Sequence, residues 1–147
     1  MPVRVESISH IGLAVPDLDA AIRFFRERFG CVVSDPIDVP TQKVRLAYVE
    51  LANGRIELLA PSAADSPVAK FLARRPEGGL HHLALSVANA DGAAEAARVE
   101  GLRILGSGTP APGHHGRPLF FLDPKDMLGA LTEIEQASPR DNPASND

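Results

Sequence analysis

An internal duplication constrains this sequence more than any other feature. Residues 10–15 (HIGLAV) align with residues 82–87 (HLALSV), and large apolar residues alternate with small ones in both segments. Such period-two alternation predicts a β-strand, and it puts His10 and His82 on the strand faces that carry the small residues. Because a repeat of this length is one supersecondary unit, the chain is predicted to form two similar modules.

A helix is predicted after each of these strands. Asp17 and Asn89 occupy equivalent positions as N-caps, and an apolar stripe at helical spacing follows each of them. Gly30 and Gly101 are placed to end the two helices as C′ residues. A third, short helix is predicted between the modules, from about 67 to 74.

Further strands are predicted to complete each module. In the first, strand-like segments at 44–52 and 55–59 flank Asn53-Gly54, which is a strong signal for a two-residue hairpin turn. In the second, the strand candidates are 102–105, 119–122 and 130–134.

The order of strand, helix and several strands therefore occurs twice, which predicts an α+β fold of two tandem βαβββ modules. We expect module one at about 5–62, a linker helix at about 63–78 and module two at about 79–136. The remaining residues, 137–147, are small, polar and interrupted by proline, and they are predicted to be a disordered tail.

Composition excludes several classes of function. The 147 residues carry a formal net charge of −4, which argues against a general nucleic-acid binder. Cys31 is the only cysteine, so an internal disulfide is excluded and a reducing, cytoplasmic location is expected. No apolar run approaches the roughly 20 residues that a membrane-spanning helix needs.

Two glutamates extend the duplication to charged residues. Glu57 (in IELL) and Glu133 (in TEI) occupy equivalent places in predicted apolar strands, where a carboxylate is costly to bury without a charged partner. With His10 and His82 they can converge near a pseudo-twofold axis as a metal site. Two imidazoles and two carboxylates suit Co²⁺, Mn²⁺, Ni²⁺, Fe²⁺ or Zn²⁺.

Each of these residues also has an ordinary structural interpretation. A strand histidine is commonly a hydrogen-bonded structural residue, and Glu57 could face solvent on a half-solvated strand. Glu50 is a secondary acid/base candidate, because a turn at Asn53-Gly54 would place it directly across from Glu57. Like charges at that spacing should raise one of the two carboxyl pKa values. Alternatively, Glu50 lies at a solvated edge.

The whole pattern resembles the vicinal oxygen chelate superfamily, which includes glyoxalase I, extradiol dioxygenases, and fosfomycin- and bleomycin-resistance proteins. Five further motifs are DSPVAKFL at 65–72, GLHH at 79–82, HGRP at 115–118, FLDPK at 121–125 and GALTE at 129–133. In order and spacing they are similar to motifs of the methylmalonyl-CoA epimerase family, within that superfamily. This likeness spans about 7–136 and implies an open, curved mixed β-sheet.

The resemblance implies roles for the metal residues. His10, His82 and Glu133 would bind a divalent ion, with Co²⁺ favoured, and Glu57 would be a ligand or a near neighbour. His81 has the opposite strand parity and is expected to be structural.

The sequence also departs from the family at several places. The family commonly has alanine at the position of His114 and histidine at that of Asp123, and Gly-Val-Leu stands where this chain has GAL at 129–131. A glutamate that some members place before the hairpin, as a base candidate, has no match around Arg45 and Leu46.

The activity that the resemblance implies is a metal-dependent epimerase. Such an enzyme interconverts the (R) and (S) forms of methylmalonyl-CoA by removing and returning the proton at the 2-carbon through an enolate. Glu57 and Glu133 would then be the acid/base pair. The resemblance also implies a homodimer.

The acyl-CoA substrate is anionic, and three cations near the predicted site are candidates to bind it: Lys70, Arg117 and Lys125. The segment 113–116 (GHHG) is predicted to be a mobile loop that could close over the ligand. No partner at metal-ligand spacing is evident for its two histidines.

Other functions stay open from the sequence. A glyoxalase-I-like lyase would use the same metal and carboxylates on a glutathione hemithioacetal. A metal-free binding protein of the bleomycin-resistance type would sequester a drug in a groove. An extradiol dioxygenase is disfavoured, because that chemistry usually needs a two-His, one-carboxylate iron site with open positions.

Overall fold

The structure, a computed structural model, describes residues 1–138, which contain nine strands and three helices. Short 3₁₀ turns cover Pro40–Gln42 and Pro124–Asp126. The helices and strands, in chain order, are β1 (Val5–Ala14), α1 (Leu18–Phe29), β2 (Val32–Val33), β3 (Ile37–Val39), β4 (Val44–Leu51), β5 (Gly54–Pro61), α2 (Pro67–Arg74), β6 (Gly79–Val87), α3 (Ala90–Val99), β7 (Ala111–Pro112), β8 (Pro118–Leu122) and β9 (Thr132–Gln136).

The described chain divides into two units. The first unit is His10–His81, and the second unit combines Met1–Ser9 with the residues from His82 onward. Strand β1 therefore begins in the second unit and ends in the first. Each unit contains one βαβββ succession, β1-α1-β2-β4-β5 or β6-α3-β7-β8-β9, which confirms the predicted α+β fold.

The first unit is a mixed sheet with a helix on one face. Its hydrogen-bonded order is β2–β4–β5–β1, where β5 and β1 are parallel and β3 also pairs with β4. Leu18 and Ile22 of α1 pack on this sheet against Val49 and Leu58. Because side chains alternate along a strand, the opposite face carries His10.

The second unit repeats this arrangement. Its parallel pair is β6 with β9, and β8 pairs antiparallel with β9 and β7. Ala93, Ala94 and Ala97 of α3 lie in one apolar cluster with Phe120 and Ile134. Their small side chains let the helix lie close to the sheet. His82 projects from the other face of β6.

The predicted helix ends are confirmed. Asp17 and Asn89 each accept a hydrogen bond from the backbone N–H three residues on, at 3.0 and 2.7 Å. Gly30, with φ 63°, ends α1, and Gly101, with φ 78°, follows the end of α3. The left-handed conformation at both glycines carries no Cβ penalty.

One predicted strand is wrong. Residues 102–105 contribute a single β-bridge, between Ile104 and Leu122. The Arg103 side chain donates to both carboxylate oxygens of Asp126, at 2.9 and 3.0 Å, and its backbone N–H donates to the same group. Two backbone hydrogen bonds flank the bridge, from Leu105 N–H to the Phe121 carbonyl and from Asp123 N–H to the Arg103 carbonyl, so the segment pairs with β8 without forming a longer ladder.

The hairpin is present, but its turn lies one residue earlier than predicted. Leu51 pairs with Gly54, so the two turn residues are 52 and 53. The last strand is also displaced, because β9 begins at Thr132 and ends at Gln136.

Among the described residues, no helix has both the length and the apolar character needed to cross a membrane. Most of the predicted tail, 139–147, lies outside the described residues.

Candidate functional site

The first unit brings His10 and Glu57 together. The parallel register places Gly12 of β1 beside Glu57 of β5, so His10 and Glu57 project from the same face of the sheet. His10 Nε2 and Glu57 Oε2 lie 3.4 Å apart. Both residues are buried, at 4% and 8% exposure. The interpretation of Glu57 as a solvent-facing charge is therefore wrong.

The second unit brings His82 and Glu133 together in the same way. Ala84 of β6 lies beside Glu133 of β9, and the His82 Nε2 and Glu133 Oε2 atoms are 3.6 Å apart. Both side chains are buried. The two His–Glu pairs are thus equivalent in strand, face and facing atoms.

An aromatic ring accompanies each pair. Tyr48 lies opposite Glu57 across the β4–β5 ladder, and its ring meets the His10 ring edge-on at a centroid distance of 6.4 Å. Phe121 lies opposite Glu133 and meets His82 in the same manner at 5.9 Å. The sequence reasoning missed both rings, although they occupy nearly equivalent places in the repeat.

The donor atoms suit a divalent metal ion. The facing nitrogen and oxygen atoms lie 3.4 Å apart in one pair and 3.6 Å apart in the other. Two ligand atoms that each lie about 2.1 Å from one ion are roughly 3 to 4 Å apart, a range that includes both separations. Imidazole nitrogen and carboxylate oxygen together are ligands that first-row divalent ions accept. A bound cation would also offset the cost of burying the carboxylates.

Glu50 does not lie where the predicted turn would have put it. With the turn at 52–53, Glu50 lies opposite Arg55, and its carboxylate accepts a hydrogen bond from Arg55 Nε at 2.9 Å. Tyr48 takes the place opposite Glu57. The expected juxtaposition of two carboxylates is therefore wrong, because the nearest charged partner of Glu50 is a cation.

The three candidate cations have different surroundings. Lys70 on α2 and Lys125 in the turn after β8 are exposed. Arg117 is partly buried, and its Nε donates to the backbone carbonyl of Gln136 at 3.0 Å. Arg117 is therefore the candidate whose guanidinium is held in one orientation.

A second buried carboxylate in β9 escaped the sequence reasoning. Glu135 is 5% exposed, and its Oε2 lies 3.4 Å from Nε2 of His115. Ser9 Oγ donates a hydrogen bond to the same carboxylate. The only available signal was the alternation in TEIEQ, which puts Glu135 on the face of Glu133. His81 lies on the other face of β6, and its ring contacts Phe71.

Burial lowers the pKa of both histidines in the β7–β8 loop. For His114 the neighbouring His115 acts in the same direction as burial, and for His115 the cation of Arg117 does so. Glu135 opposes the lowering at both. His115 Nδ1 accepts the Arg117 backbone N–H at 3.0 Å, so the proton of the neutral ring is on Nε2, which faces Glu135.

Comparison with protein families gives one match that covers most of the chain. Residues 9–121 match the model of the Glyoxalase/Bleomycin resistance protein/Dioxygenase superfamily. Among curated proteins, the ethylmalonyl-CoA/methylmalonyl-CoA epimerase of Cereibacter sphaeroides is 43% identical over 129 residues. That alignment covers 88% of this chain and 96% of the relative.

Two solved structures are similar over nearly the whole chain. Methylmalonyl-CoA epimerase from Mycobacterium tuberculosis has a TM-score of 0.85 and 30% identity, covering 95% of this chain and 93% of that one. A variant of the Streptomyces coelicolor methylmalonyl-CoA epimerase, in complex with 2-nitronate-propionyl-CoA, has a TM-score of 0.86 and 35% identity. This match covers 95% of this chain and 100% of the Streptomyces coelicolor chain.

Proposed function

Because the chain belongs to the methylmalonyl-CoA epimerase family of the glyoxalase superfamily, we propose that it interconverts the (R) and (S) forms of methylmalonyl-CoA. The observation that carries this proposal is the pair of buried His–Glu contacts on equivalent strands. The acyl-CoA ligand named for a solved relative supports the class of substrate.

His10, Glu57, His82 and Glu133 are the residues that would hold a divalent ion. One His–Glu pair offers only two donors, so we propose that both pairs serve the same ion and leave positions for substrate oxygen. Co²⁺ is the ion proposed from the family resemblance. When bound, the ion supplies positive charge where negative charge develops on substrate oxygen.

Side chains of this protein are proposed to remove and return the proton at the 2-carbon. The 2-carbon lies between a thioester and a carboxylate, and loss of its proton gives an enolate. Inversion requires one group that takes the proton on one side and one that returns a proton on the other. Glu57 and Glu133 are the proposed pair, because each carboxylate projects from the sheet face that also carries a proposed metal-binding histidine. Glu50 is a weaker candidate, since Arg55 neutralises it.

Three cations are proposed to meet the anionic substrate: Lys70, Arg117 and Lys125. A guanidinium binds carboxylate or phosphate oxygens with two parallel hydrogen bonds, so the oriented Arg117 is the leading candidate. A cytoplasmic location and a homodimer remain part of the proposal. Light scattering of the purified protein tests the dimer.

Exchange with solvent tests the activity directly. One epimer of methylmalonyl-CoA is incubated in deuterated water with the metal-loaded protein and, separately, with chelator-treated protein. We expect deuterium at the 2-carbon together with racemisation, loss of both after chelation, and recovery on addition of Co²⁺. A glutathione hemithioacetal serves as the competing substrate.

Adjacent histidines provide a matched pair of variants. His82→Ala removes a proposed ligand, whereas His81→Ala removes an imidazole on the opposite face of the same strand, where it contacts Phe71. We expect loss of metal and exchange in the first variant and retention of both in the second. Absence of exchange with the loaded wild type, or a preference for the hemithioacetal, would overturn the proposed function.

A further inference from the structure

The two units differ in chemistry at a buried position of their last strands. Two residues after Glu57, β5 carries Leu59, which lies in an apolar cluster with Ala14. Two residues after Glu133, β9 carries Glu135 instead, and this carboxylate is as buried as the leucine, at 5% against 4% exposure. A carboxylate in place of a core leucine costs folding free energy, so a functional reason is expected for it.

The strand paired with each of these positions differs too, since β6 carries a polar residue where β1 carries an apolar one. Ser86 of β6 lies beside Glu135 in the parallel register, whereas Ala14 of β1 lies beside Leu59. Both Ser86 and Ala14 are buried. The second unit therefore has a polar patch where the first has hydrophobic core.

The partners of Glu135 connect it to the β7–β8 loop. Ser9 donates to its carboxylate, and Nε2 of His115 lies 3.4 Å from Oε2. The other ring nitrogen of His115 accepts the backbone N–H of Arg117 at 3.0 Å. Both nitrogens of His115 are thus engaged, so this imidazole serves to hold the loop.

Arg117 is anchored a second time on the same strand. Its Nε donates to the carbonyl oxygen of Gln136 at 3.0 Å, and the Gln136 side chain accepts the backbone N–H of Ala90 at 3.2 Å. We call the contacts of Glu135, His115, Arg117 and Gln136 the β9 clasp. The clasp ties the Arg117 side chain directly to β9 and its backbone to β9 through His115.

The clasp lies beside the proposed metal residues of its own unit. Glu133 and Glu135 project from one face of β9, about 7 Å apart along the strand. Arg117 is hydrogen-bonded to Gln136, three residues after Glu133 on β9, so its guanidinium is held in the unit that carries His82 and Glu133. The loop sequence GHHGR offers cationic or donor groups and no carboxylate.

On the basis of the function proposed above, we propose that Glu135 is a positioning residue, which acts through His115 to orient the Arg117 guanidinium toward an anionic group of the acyl-CoA substrate. The anion is either the carboxylate of the acyl group or a phosphate of coenzyme A. Both present the oxygen pair that a guanidinium binds.

Kinetics of four variants in the metal-loaded protein test this role: Glu135→Leu, Glu135→Gln, Arg117→Gln and the double variant Glu135→Leu/Arg117→Gln. We expect Glu135→Leu to raise KM for methylmalonyl-CoA about tenfold with kcat nearly unchanged. Glu135→Gln should restore most of the affinity, because its amide oxygen still accepts from His115. The double variant should be no worse than Arg117→Gln alone.

Calorimetric binding of propionyl-CoA and methylmalonyl-CoA requires no turnover and distinguishes the two anions. If Arg117→Gln weakens the binding of methylmalonyl-CoA alone, Arg117 binds the acyl carboxylate. If it weakens the binding of both ligands, Arg117 binds a phosphate. Glu95→Gln, an exposed glutamate of α3, is the control and should change neither. The clasp can thus be confirmed by binding even if epimerase activity is absent.

Three results would overturn the proposal. They are unchanged binding and KM in a folded Glu135→Leu protein, a fall in kcat without a rise in KM, and additive effects of Glu135→Leu and Arg117→Gln. Thermal unfolding and metal content of each variant establish that the protein is folded and loaded. If Glu135→Leu does not fold, the His115→Gln variant, which removes the ring nitrogen that accepts the Arg117 backbone N–H, provides the same comparison with Arg117→Gln.

Discussion

At the scale of single residues, the titratable groups of the candidate site are buried and face one another. His10, Glu57, His82 and Glu133 are all buried, and each imidazole faces a carboxylate of its own unit. His115 differs from the two strand histidines because it faces Glu135, outside the proposed metal set. Its lowered pKa makes it a source of pH-dependent stability.

We expect the free energy of unfolding to fall as the pH drops below about 6.5, in part because of His115. Burial and Arg117 lower its pKa in the folded protein, so the unfolded chain binds more protons below the ordinary value of 6.5. The contribution is complete above that value and is lost as the pH falls towards the folded-state pKa. Urea unfolding of chelator-treated wild type and His115→Gln at pH 5.5, 6.5 and 7.5 measures it. Parallel curves for the two proteins would contradict this expectation.

At the scale of elements, the entry into β6 depends on a close backbone approach. Gly78 has φ 88°, and a Cβ atom there would lie 2.3 Å from the carbonyl oxygen of Ala14. β6 carries His82 four residues later, so this approach sets the start of a site strand. Gly106 also has a positive φ, 73°, but a Cβ atom there would meet no atom within 4 Å.

The two glycines therefore form a matched pair. Gly106→Ala should lower the free energy of unfolding by about 1 kcal/mol, which is the cost of the left-handed conformation. Gly78→Ala should lower it by about 2–4 kcal/mol, because backbone overlap adds to the same cost. Equilibrium denaturation of both variants measures the difference. Equal losses would show that the chain relaxes away from Ala14 without cost.

At the scale of the whole molecule, the duplication produces two equivalent His–Glu pairs and a chemical difference between the two units. Each unit contributes one imidazole, one carboxylate and one aromatic ring. Among the described residues, the β9 clasp occurs only in the second unit. Because one ion is proposed to bind both His–Glu pairs, metal binding should depend on both units.

We expect one divalent ion per chain, and we expect His10→Ala and His82→Ala each to lose it. A His–Glu pair alone offers two donors, which is too few to retain the ion against a chelator. The ion should also raise the Tm of the wild type, since it binds only the folded protein. Elemental analysis of gel-filtered proteins measures the stoichiometry. Two ions in the wild type, with one left in each variant, would indicate independent sites.

The sequence by itself determined the two histidine-bearing strands, the helix N-caps and the equivalence of Glu57 and Glu133, because each depends on local periodicity or on equivalence within the repeat. The alternation of residues predicted which strand faces carry His10 and His82, and both histidines are buried on those faces. Asp17 and Asn89 could be predicted because an N-cap acts within one turn of its helix.

Only the tertiary structure decided the hairpin register and the clasp. Moving the turn by one residue leaves Glu50 and Glu57 on the same face, so alternation cannot distinguish the two registers, and pairing with neighbouring strands selects one. Likewise, His115 and Glu135 are distant in sequence, and their contact exists because β8 and β9 pair and return the loop to that strand. Local patterns reveal which face a side chain occupies, whereas its partners depend on non-local pairing.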